Sequence, residues 1–312
     1  MTNRPTRVTV IGDSTLDITV LDAVPVPGRD HPAQIIAGPG GQGANVAVRL
    51  ARQGVIVTLV TAVGTDPAGQ VLSATLEAEG VRVVSAAAEV GRSGAVVALV
   101  DRAGERAMLS DRLPLDSAVQ DAPAVRAALT DADWIHLSGY PLADPQGGAA
   151  LAKLAGSRPD RQRCSIAGGS FHDDAALTAR IRTARPDLVV FDRAEAATIL
   201  GSAAPAGDRA AGALATALVA ALGGVAIVTD GASGAAAAAT EGAVEVRGRA
   251  RSVLDATGAG DAFAASLIAA LSGEGWPPSL AVLQHALENA AARGADVAGA
   301  VGAQARLGSE AP

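Results

Sequence analysis

The stretch DATGAGDAFAAS, residues 255–266, joins two aspartates and two glycines to a run of small apolar residues. Gly258 and Gly260 permit a tight turn that points amide N–H groups outward, and the residues after Asp261 predict a buried helix. The first turn of a helix has unpaired amides and partial positive charge, which suits an anion such as a phosphoryl group in transfer. Asp261 would stand beside that anion and accept a proton from an attacking hydroxyl. Alternatively, Asp261 or Thr257 caps the helix and does nothing more.

A second glycine-rich stretch, GPGGQGAN at residues 38–45, has the G-x-G-x-x-G spacing of dinucleotide-binding proteins. That interpretation lacks its context, because the strand TLVTAVG at residues 58–64 ends without the acid that would bind a ribose. A tight turn into a helix at Asn45 explains one or two of the glycines. Four glycines together with Gln42 and Asn45 favour a backbone that a ligand approaches closely.

Composition excludes several classes of protein. The net charge of -7 disfavours a nucleic-acid partner. Lys153 is the only lysine, so any phosphate must be held by backbone amides, arginine or metal. Cys164 is the only cysteine, which rules out an intrachain disulfide and a cysteine-based zinc site and favours a small buried residue. The four histidines show no metal-ligand spacing.

Short apolar runs recur between alanine-rich stretches, and each run ends in glycine or a polar residue. They read RVTVIG, VIVTLVTAVG, ADWIHLSG, DLVVFD and VAIVTDG. Such runs alternating with helices predict an α/β fold with a doubly wound, mostly parallel sheet in three layers. Ligands of these sheets bind beyond the carboxyl ends of the strands. We therefore expect one rim formed by Gly12 and Asp13, Gly64, Ser138 and Gly139, Asp192, and Asp230 and Gly231.

Two segments differ from this strand–helix pattern because apolar and polar residues alternate along them. STLDITVLD and SGAVVALVDRAGERAMLS predict antiparallel strands, the second a hairpin that turns at residues 101–105. We interpret the chain as a single α/β domain over residues 1–312, with a small β lid inserted at about residues 13–37 and 94–111.

Residues 210–229 have the length of a membrane span, but Gly223 and Gly224 divide them into an alanine-rich helix and a β-branched strand. The N-terminal apolar run is too short for a signal peptide. We expect a cytoplasmic protein without membrane contact.

Three blocks resemble, in order and spacing, the signature motifs of the ribokinase (PfkB) family of sugar and nucleoside kinases: GGQGANVAVRLARQG, VTDGASG and DATGAGDAFAASL. The resemblance covers nearly the whole chain. It implies a β lid over a doubly wound sheet, Asp261 as the catalytic base, and an anion hole at Gly258, Ala259 and Gly260.

The resemblance also implies positions for both substrates. Asp17 and Asn45 would hold sugar hydroxyls, Gly41 would let the sugar lie against the backbone, and Gln42 stands where ribokinases usually have lysine. The nucleotide would lie at Thr229, Gly231, Gly234 and Asn289, although residues 229–234 also suit a plain β turn.

Metal sites follow from the same likeness. The family commonly has an N-x-x-E element that organises Mg²⁺ and its waters, and here Asp192 and Glu195 occupy the two positions. The alternative is a solvated first turn of a helix. Asp255 and Thr257 are further predicted to hold a monovalent cation, K⁺.

The predicted activity is transfer of the γ-phosphoryl group of ATP to a hydroxyl of a small sugar, of the ribokinase or fructokinase kind. Alternatives are a nucleoside kinase of the same fold, a sensor that binds sugar or nucleotide without turnover, and a dinucleotide oxidoreductase. We expect a small-molecule substrate, no nucleic-acid partner, and a homodimer that packs lid against lid.

Overall fold

Runs of β-branched residues between alanine-rich segments produce a sheet covered by helices on both faces. The computed structural model describes residues 4–22, 28, 30–85, 91–101, 106–115, 122–169, 175–203, 207, 209–249, 253–300 and 302–306.

Nine strands form the large sheet: β1 (Arg7–Ile11), β4 (Ile56–Thr61), β5 (Arg82–Ser85), β8 (Trp134–Leu137), β9 (Arg163–Ala167), β10 (Leu188–Asp192), β11 (Val225–Thr229), β12 (Gly234–Ala239) and β13 (Gly242–Arg247). Their spatial order is β13-β12-β11-β10-β9-β8-β1-β4-β5. From β5 to β11 every neighbouring pair is parallel, and β12 is antiparallel to both of its neighbours. The parallel strands therefore end at a common rim.

Four strands form the small sheet: β2 (Thr15–Leu21), β3 (Gln34–Gly40), β6 (Gly94–Val100) and β7 (Arg106–Asp111). Their order is β3-β2-β6-β7. β2 pairs antiparallel with β3, and β6 pairs antiparallel with β7 as the predicted hairpin requires. β2 and β6 pair parallel, so the expectation of a purely antiparallel lid is wrong. Residues 102–105 of the predicted turn at 101–105 lie outside the described residues. β3 runs through Gly40, so the glycine-rich stretch begins inside a strand.

Ten helices lie in the described part of the chain: α1 (Gln42–Ala51), α2 (Pro67–Ala78), α3 (Pro123–Thr130), α4 (Gly139–Ala143), α5 (Gly148–Gly156), α6 (Ala175–Ala184), α7 (Arg193–Leu200), α8 (Ala210–Leu222), α9 (Ala259–Leu271) and α10 (Leu280–Ala298). The segment 210–229 forms α8 and β11, as predicted. None of the described helices is long and apolar enough to cross a membrane.

Two apolar cores lie on opposite faces of the large sheet. One contains Val8 and Val10 of β1 with buried residues of α1, α9 and α10. The other contains Ile11 with buried residues of α3, α5, α6, α7 and α8, and it includes Cys164. Helices thus cover both faces, which confirms the predicted three-layer, doubly wound α/β class.

Candidate active site

The turn before α9 brings the DATGAGD motif to the rim. Gly258 is the N-cap residue, with φ 78° and no side-chain cap hydrogen bond. A Cβ at this position would lie 2.7 Å from the Cβ of Ala303, so both the left-handed backbone and the packing require glycine. Gly258, not Asp261 or Thr257, therefore occupies the N-cap position.

The Asp261 carboxylate instead accepts a hydrogen bond from Asn45 Nδ2 at 2.8 Å. Burial raises the pKa of Asp261 to about 7. The Asn45 hydrogen bond lowers the pKa of this carboxyl, the charges of Asp13 and Asp17 raise it further, and Arg49 opposes them. A carboxylate near pKa 7 is suited to accept a proton at neutral pH.

One of the predicted anion-hole amides is already used. Ala259 N–H donates to the Ala256 carbonyl at 3.2 Å. The amides of Gly260 and Asp261 belong to the first turn of α9, whose N–H groups have no intrahelical acceptor. The Ala259 amide thus has an acceptor within the protein, whereas the first turn of α9 leaves the Gly260 and Asp261 amides for an anion, and the role of Ala259 in the anion hole stays a prediction.

A polar cavity of about 230 Å³ opens on one side of this turn. Its lining includes all four residues predicted to bind the sugar, and also Gly258 and Asp261. The lining residues are Thr15, Asp17, Gly41, Gln42, Asn45, Val96, Met108, Arg112, Tyr140, Gly168, Gly169, Glu195, Thr257, Gly258 and Asp261.

Asp17 reaches this cavity because of the pleat of β2. In the small sheet Asp17 lies opposite Val96, and both line the cavity, whereas Ile18 and its partner Val97 point to the other face. Asp17 Oδ1 accepts a hydrogen bond from Thr15 Oγ1 at 2.7 Å. Burial raises the pKa of Asp17, the Thr15 hydrogen bond lowers it, and the charge of Asp13 raises it again.

The glycines before α1 serve close backbone packing. Gly41 has φ 94°, and a Cβ there would lie 2.7 Å from the Asp13 carbonyl oxygen. A Cβ on Gly43 would lie 2.5 Å from Gly12 Cα. The helix begins at Gln42, not at Asn45, so Asn45 occupies its first turn and faces Asp261.

Gln42 holds protein loops together within the cavity wall. Its Oε1 accepts a hydrogen bond from Gly139 N–H at 2.9 Å, and its Nε2 donates to the Gly168 carbonyl. The amide therefore joins the loops that follow β8 and β9. This contact gives Gln42 a structural role beside the predicted sugar contact.

Sequence reasoning missed a cationic group in the cavity wall. Arg112 Nε donates to the Asp13 carboxylate at 2.9 Å, and its guanidinium lies 3.9 Å from the centre of the Tyr140 ring. Asp13 was expected only as a rim residue. Arg112 directly follows β7. Its position just after the predicted hairpin was the one sequence signal that could have indicated an arginine at the cavity.

A second cavity, of about 250 Å³, lies on the other side of the turn. Ala259 and Gly260 belong to its wall, as do the predicted nucleotide residues Thr229, Gly231 and Gly234. The remaining wall is formed by Ala232, Gly248, Arg249, Val253, Ala256, Phe263, Ala291, Gly294, Ala295 and Ala298. A wall mostly of glycine and alanine, with Phe263 and Val253, suits a flat apolar group, and Arg249 adds one cation to it.

The structure locates Asn289 outside this wall. Its side chain is exposed, and Nδ2 lies 3.1 Å from Nε2 of His285. The face of α10 that lines the cavity is formed by Ala291, Gly294, Ala295 and Ala298. Because residues 289 and 291 are two positions apart on a helix, they point in different directions. Asn289 therefore lies outside the cavity that the other predicted nucleotide residues line, and its nucleotide contact stays a prediction.

Asp192 and Glu195 form a reciprocal capping box at the start of α7. Asp192 Oδ1 accepts from Glu195 N–H at 2.8 Å, and Glu195 Oε2 accepts from Asp192 N–H at 2.9 Å. Among the residues that the structure describes, no three His, Cys, Asp or Glu side chains are grouped to hold a metal. Two oxygen donors at the rim fit Mg²⁺ that keeps most of its waters, since this ion dehydrates reluctantly.

Asp255 fixes the loop before the turn. Its Oδ1 accepts from Thr257 N–H at 2.9 Å, and its Oδ2 accepts from Gly302 N–H at 3.0 Å. Both carboxylate oxygens thus support the backbone around Gly258. A monovalent cation at Asp255 and Thr257 stays a prediction.

A polar cavity and an apolar cavity lie on either side of one helix N-terminus beside the sheet, an arrangement that suits a protein acting on two small molecules. A model of the family described as pfkB family carbohydrate kinase matches residues 5–310. The chain is 30% identical over 310 residues to a fructokinase of Salmonella typhimurium, with 96% of each chain covered. The chain therefore belongs to the pfkB family and is an ATP-dependent sugar kinase. The dinucleotide oxidoreductase interpretation is wrong.

Solved structures share the fold. A ribokinase of Giardia lamblia matches with a TM-score of 0.82 at 17% identity, covering 98% of this chain and 97% of that one. A ribokinase of Cryptococcus neoformans var. grubii in complex with ADP matches with a TM-score of 0.75 at 21% identity, covering 97% and 96%.

Proposed function

We propose that this protein transfers the γ-phosphoryl group of ATP to a hydroxyl of a hexose such as fructose, with Asp261 as the general base. The observation that carries the proposal is the turn at residues 258–261, which borders both cavities. Asp261 faces the polar cavity, and Ala259 and Gly260 face the apolar one. A sugar and a nucleotide in these cavities would meet at the free amides of α9.

The residues act chiefly by position. Asp17 and Asn45 hold sugar hydroxyls and orient one of them toward Asp261. The hydroxyl oxygen forms a bond to the γ-phosphorus while the bond from that phosphorus to the oxygen bridging to the β-phosphate breaks. The hydroxyl proton passes to the Asp261 carboxylate, and ADP leaves. The amides of Gly260 and Asp261 stabilise charge on the transferring group.

Asp192 and Glu195 would hold Mg²⁺ through its waters at the same rim. When bound, this ion neutralises phosphate charge and helps to orient the triphosphate. Their capping box fixes both carboxyl groups before any ligand arrives.

The fructose-like substrate is supported by the similarity to fructokinases and by the polarity of the cavity. Carboxylates at Asp17 and Asp261, the Asn45 amide and the Arg112 guanidinium supply both acceptors and donors for vicinal hydroxyls. Met108 and Val96 supply apolar contact for the carbon face of a ring.

The test measures ADP release with ATP and a panel of fructose, ribose, glucose, adenosine and a sugar acid. We expect fructose to give the highest kcat/KM. Asp261→Asn should lower kcat by about a hundredfold or more, the size of a general-base contribution, because the amide cannot accept the proton. A panel led by adenosine would overturn the substrate, and an Asp261→Asn enzyme with retained turnover would overturn the base. ATP consumption with none of the panel would favour another sugar acceptor.

We further propose a homodimer formed by the outer face of the small sheet, the face turned away from the cavity. The strand register assigns to this face Leu16, Ile18, Val20, Ile35, Ala37, Pro39, Ala95, Val97, Leu99, Ala107, Leu109 and Asp111. Ile35 and Leu109 are 65% and 63% exposed. An apolar face of this kind is suited to pack against the same face of a second copy.

A further inference from the structure

Gln304, near the end of the described chain, reaches the active site through one hydrogen bond. Its Nε2 donates to Asn45 Oδ1 at 3.0 Å, and Asn45 Nδ2 donates to Asp261 at 2.8 Å. A carboxamide has its oxygen and nitrogen on opposite sides, so a donor at its oxygen determines which atom the other side presents. With Gln304 in place, Asn45 presents N–H to Asp261.

The backbone around Gln304 is fixed by two arginines of the α1 region. Arg49 is buried, and its Nη2 donates to the carbonyls of Ala303 at 2.8 Å and Ala305 at 3.0 Å. Arg52 Nη2 donates to the Gln304 carbonyl at 3.1 Å. Arg52 is itself held by Glu79, with Nε 2.8 Å from Oε2. This segment is therefore anchored to the helix that bears Asn45.

We propose that Gln304 is a positioning residue that holds the Asn45 amide with its N–H toward Asp261 and so keeps the base ionised and aimed at the substrate hydroxyl. The proposal rests on the proposed function of Asp261. Rotation of the Asn45 amide by half a turn would place Oδ1 against the Asp261 carboxylate. Two acceptors in contact repel, unless Asp261 takes up a proton and donates it to Oδ1.

Several other groups act on the same carboxyl. Asp13 and Asp17 disfavour its ionised form and Arg49 favours it, while Glu195 and Arg112 line the same cavity. None of these groups is changed when Gln304 is substituted. A shift in the pH profile of a Gln304 variant can thus be assigned to the Asn45 amide, once the charge of the new side chain is controlled for.

The experiment compares Gln304→Glu, Gln304→Met and Gln304→Lys in profiles of kcat/KM against pH. Gln304→Glu keeps the shape but offers only acceptors, so the Asn45 amide should turn. The acidic limb is the part of the profile where kcat/KM falls as the pH is lowered. For Gln304→Glu we expect the midpoint of this limb to move up by about one pH unit, with kcat/KM about tenfold lower on the acid side. Gln304→Met removes the donor without charge and should move the limb part of the way. Gln304→Lys keeps a hydrogen-bond donor and should not raise the pH of the acidic limb.

Gln53→Glu is the matched charge control. Gln53 Nε2 donates to the Arg49 carbonyl at 2.8 Å, so this variant adds the same charge beside the same helix without touching Asn45. Thermal melts of each variant report folding separately. In an Asn45→Ala background, Gln304→Met should no longer move the limb.

The proposal is overturned if Gln304→Met has the wild-type limb, if Gln304→Glu shifts no more than Gln53→Glu, or if the shift persists without Asn45. Failure of the proposed function would look different, because wild-type enzyme would then lack an acidic limb or Asp261→Asn would retain turnover.

Discussion

Asp261, the general base that we propose, combines two demands that conflict. A general base must be ionised to act, yet burial raises the pKa of Asp261 to about 7 from an ordinary value of 3.8. The folded protein therefore binds this proton more tightly than the unfolded chain does. The bound proton therefore stabilises the folded state. This stabilisation is complete below the unfolded-state pKa of 3.8 and is lost as the pH rises through the folded-state pKa of about 7. An ionised Asp261, which the proposed mechanism requires, therefore lowers the stability of the folded protein.

Asp261→Asn should therefore stabilise the protein at alkaline pH. The neutral amide carries no charge to bury and can still accept from Asn45, so the variant should melt above wild type at pH 8. At pH 5, where the wild-type carboxyl is protonated in the fold, the difference should shrink. Thermal melts at both pH values measure this. Asp160→Asn is the control, because the Asp160 side chain is 92% exposed. Equal melting temperatures for Asp261→Asn and wild type at pH 8 would argue against a buried charge at this position.

At the scale of elements, β1 and α1 meet through two glycines. Gly43 in the first turn of α1 lies against Gly12 just after β1, and this contact brings Asn45 within reach of Asp261. A methyl group there would collide with backbone, which cannot move as a flexible side chain can. Small residues at this crossing thus determine where the Asn45 amide stands.

Gly43→Ala should destabilise the fold by about 1–3 kcal/mol, the range for overpacking, and should weaken sugar binding because α1 shifts. Gly38→Ala is the matched control from the same stretch, since a Cβ on Gly38 has nothing within 4 Å. Urea unfolding and the sugar KM measure the two effects. Equal unfolding midpoints for the two variants would contradict the packing argument.

At the scale of the whole molecule, the alternation of side chains along the small sheet gives it two different faces, one toward the cavity and one away from it. Asp17, Val96 and Met108 face the cavity, while Ile18, Val97 and Leu109 face outward. Substitutions on the outer face can therefore test assembly without changing a residue of the cavity wall.

Replacing Ile18 and Val97 together by lysine should convert the proposed dimer to a monomer and raise the sugar KM, because an unsupported lid closes poorly. Two charges on a flat apolar face oppose its pairing with a copy of itself. Light scattering at micromolar concentration measures the mass. Val71→Lys is the control, because Val71 is an exposed apolar residue of α2. A wild-type protein of monomer mass would refute the dimer.

The sequence by itself determined the class of fold and the family of kinases to which the chain belongs. Alternation of apolar runs with alanine-rich helices is a local pattern, so it predicted the parallel sheet and its rim. The DATGAGD motif contains its own turn and its own acid, and a short segment of this kind needs no distant partner to be recognised. Asp17, Gly41 and Asn45 were predicted from the resemblance of their motifs to those of the family, and they line the polar cavity.

Only the tertiary structure decided which groups touch. Asn45 and Asp261 are 216 positions apart, and Asn45 and Gln304 are 259 apart. No local pattern encodes such contacts, because they depend on how α1, α9 and the last described segment pack together. The facing direction of Asn289 on α10 and the use of the Ala259 amide by Ala256 depend on the same packing and on backbone geometry. Residue types thus predicted the family and its candidate site residues, whereas the pairing of Asn45 with Asp261 and Gln304 came from long-range packing.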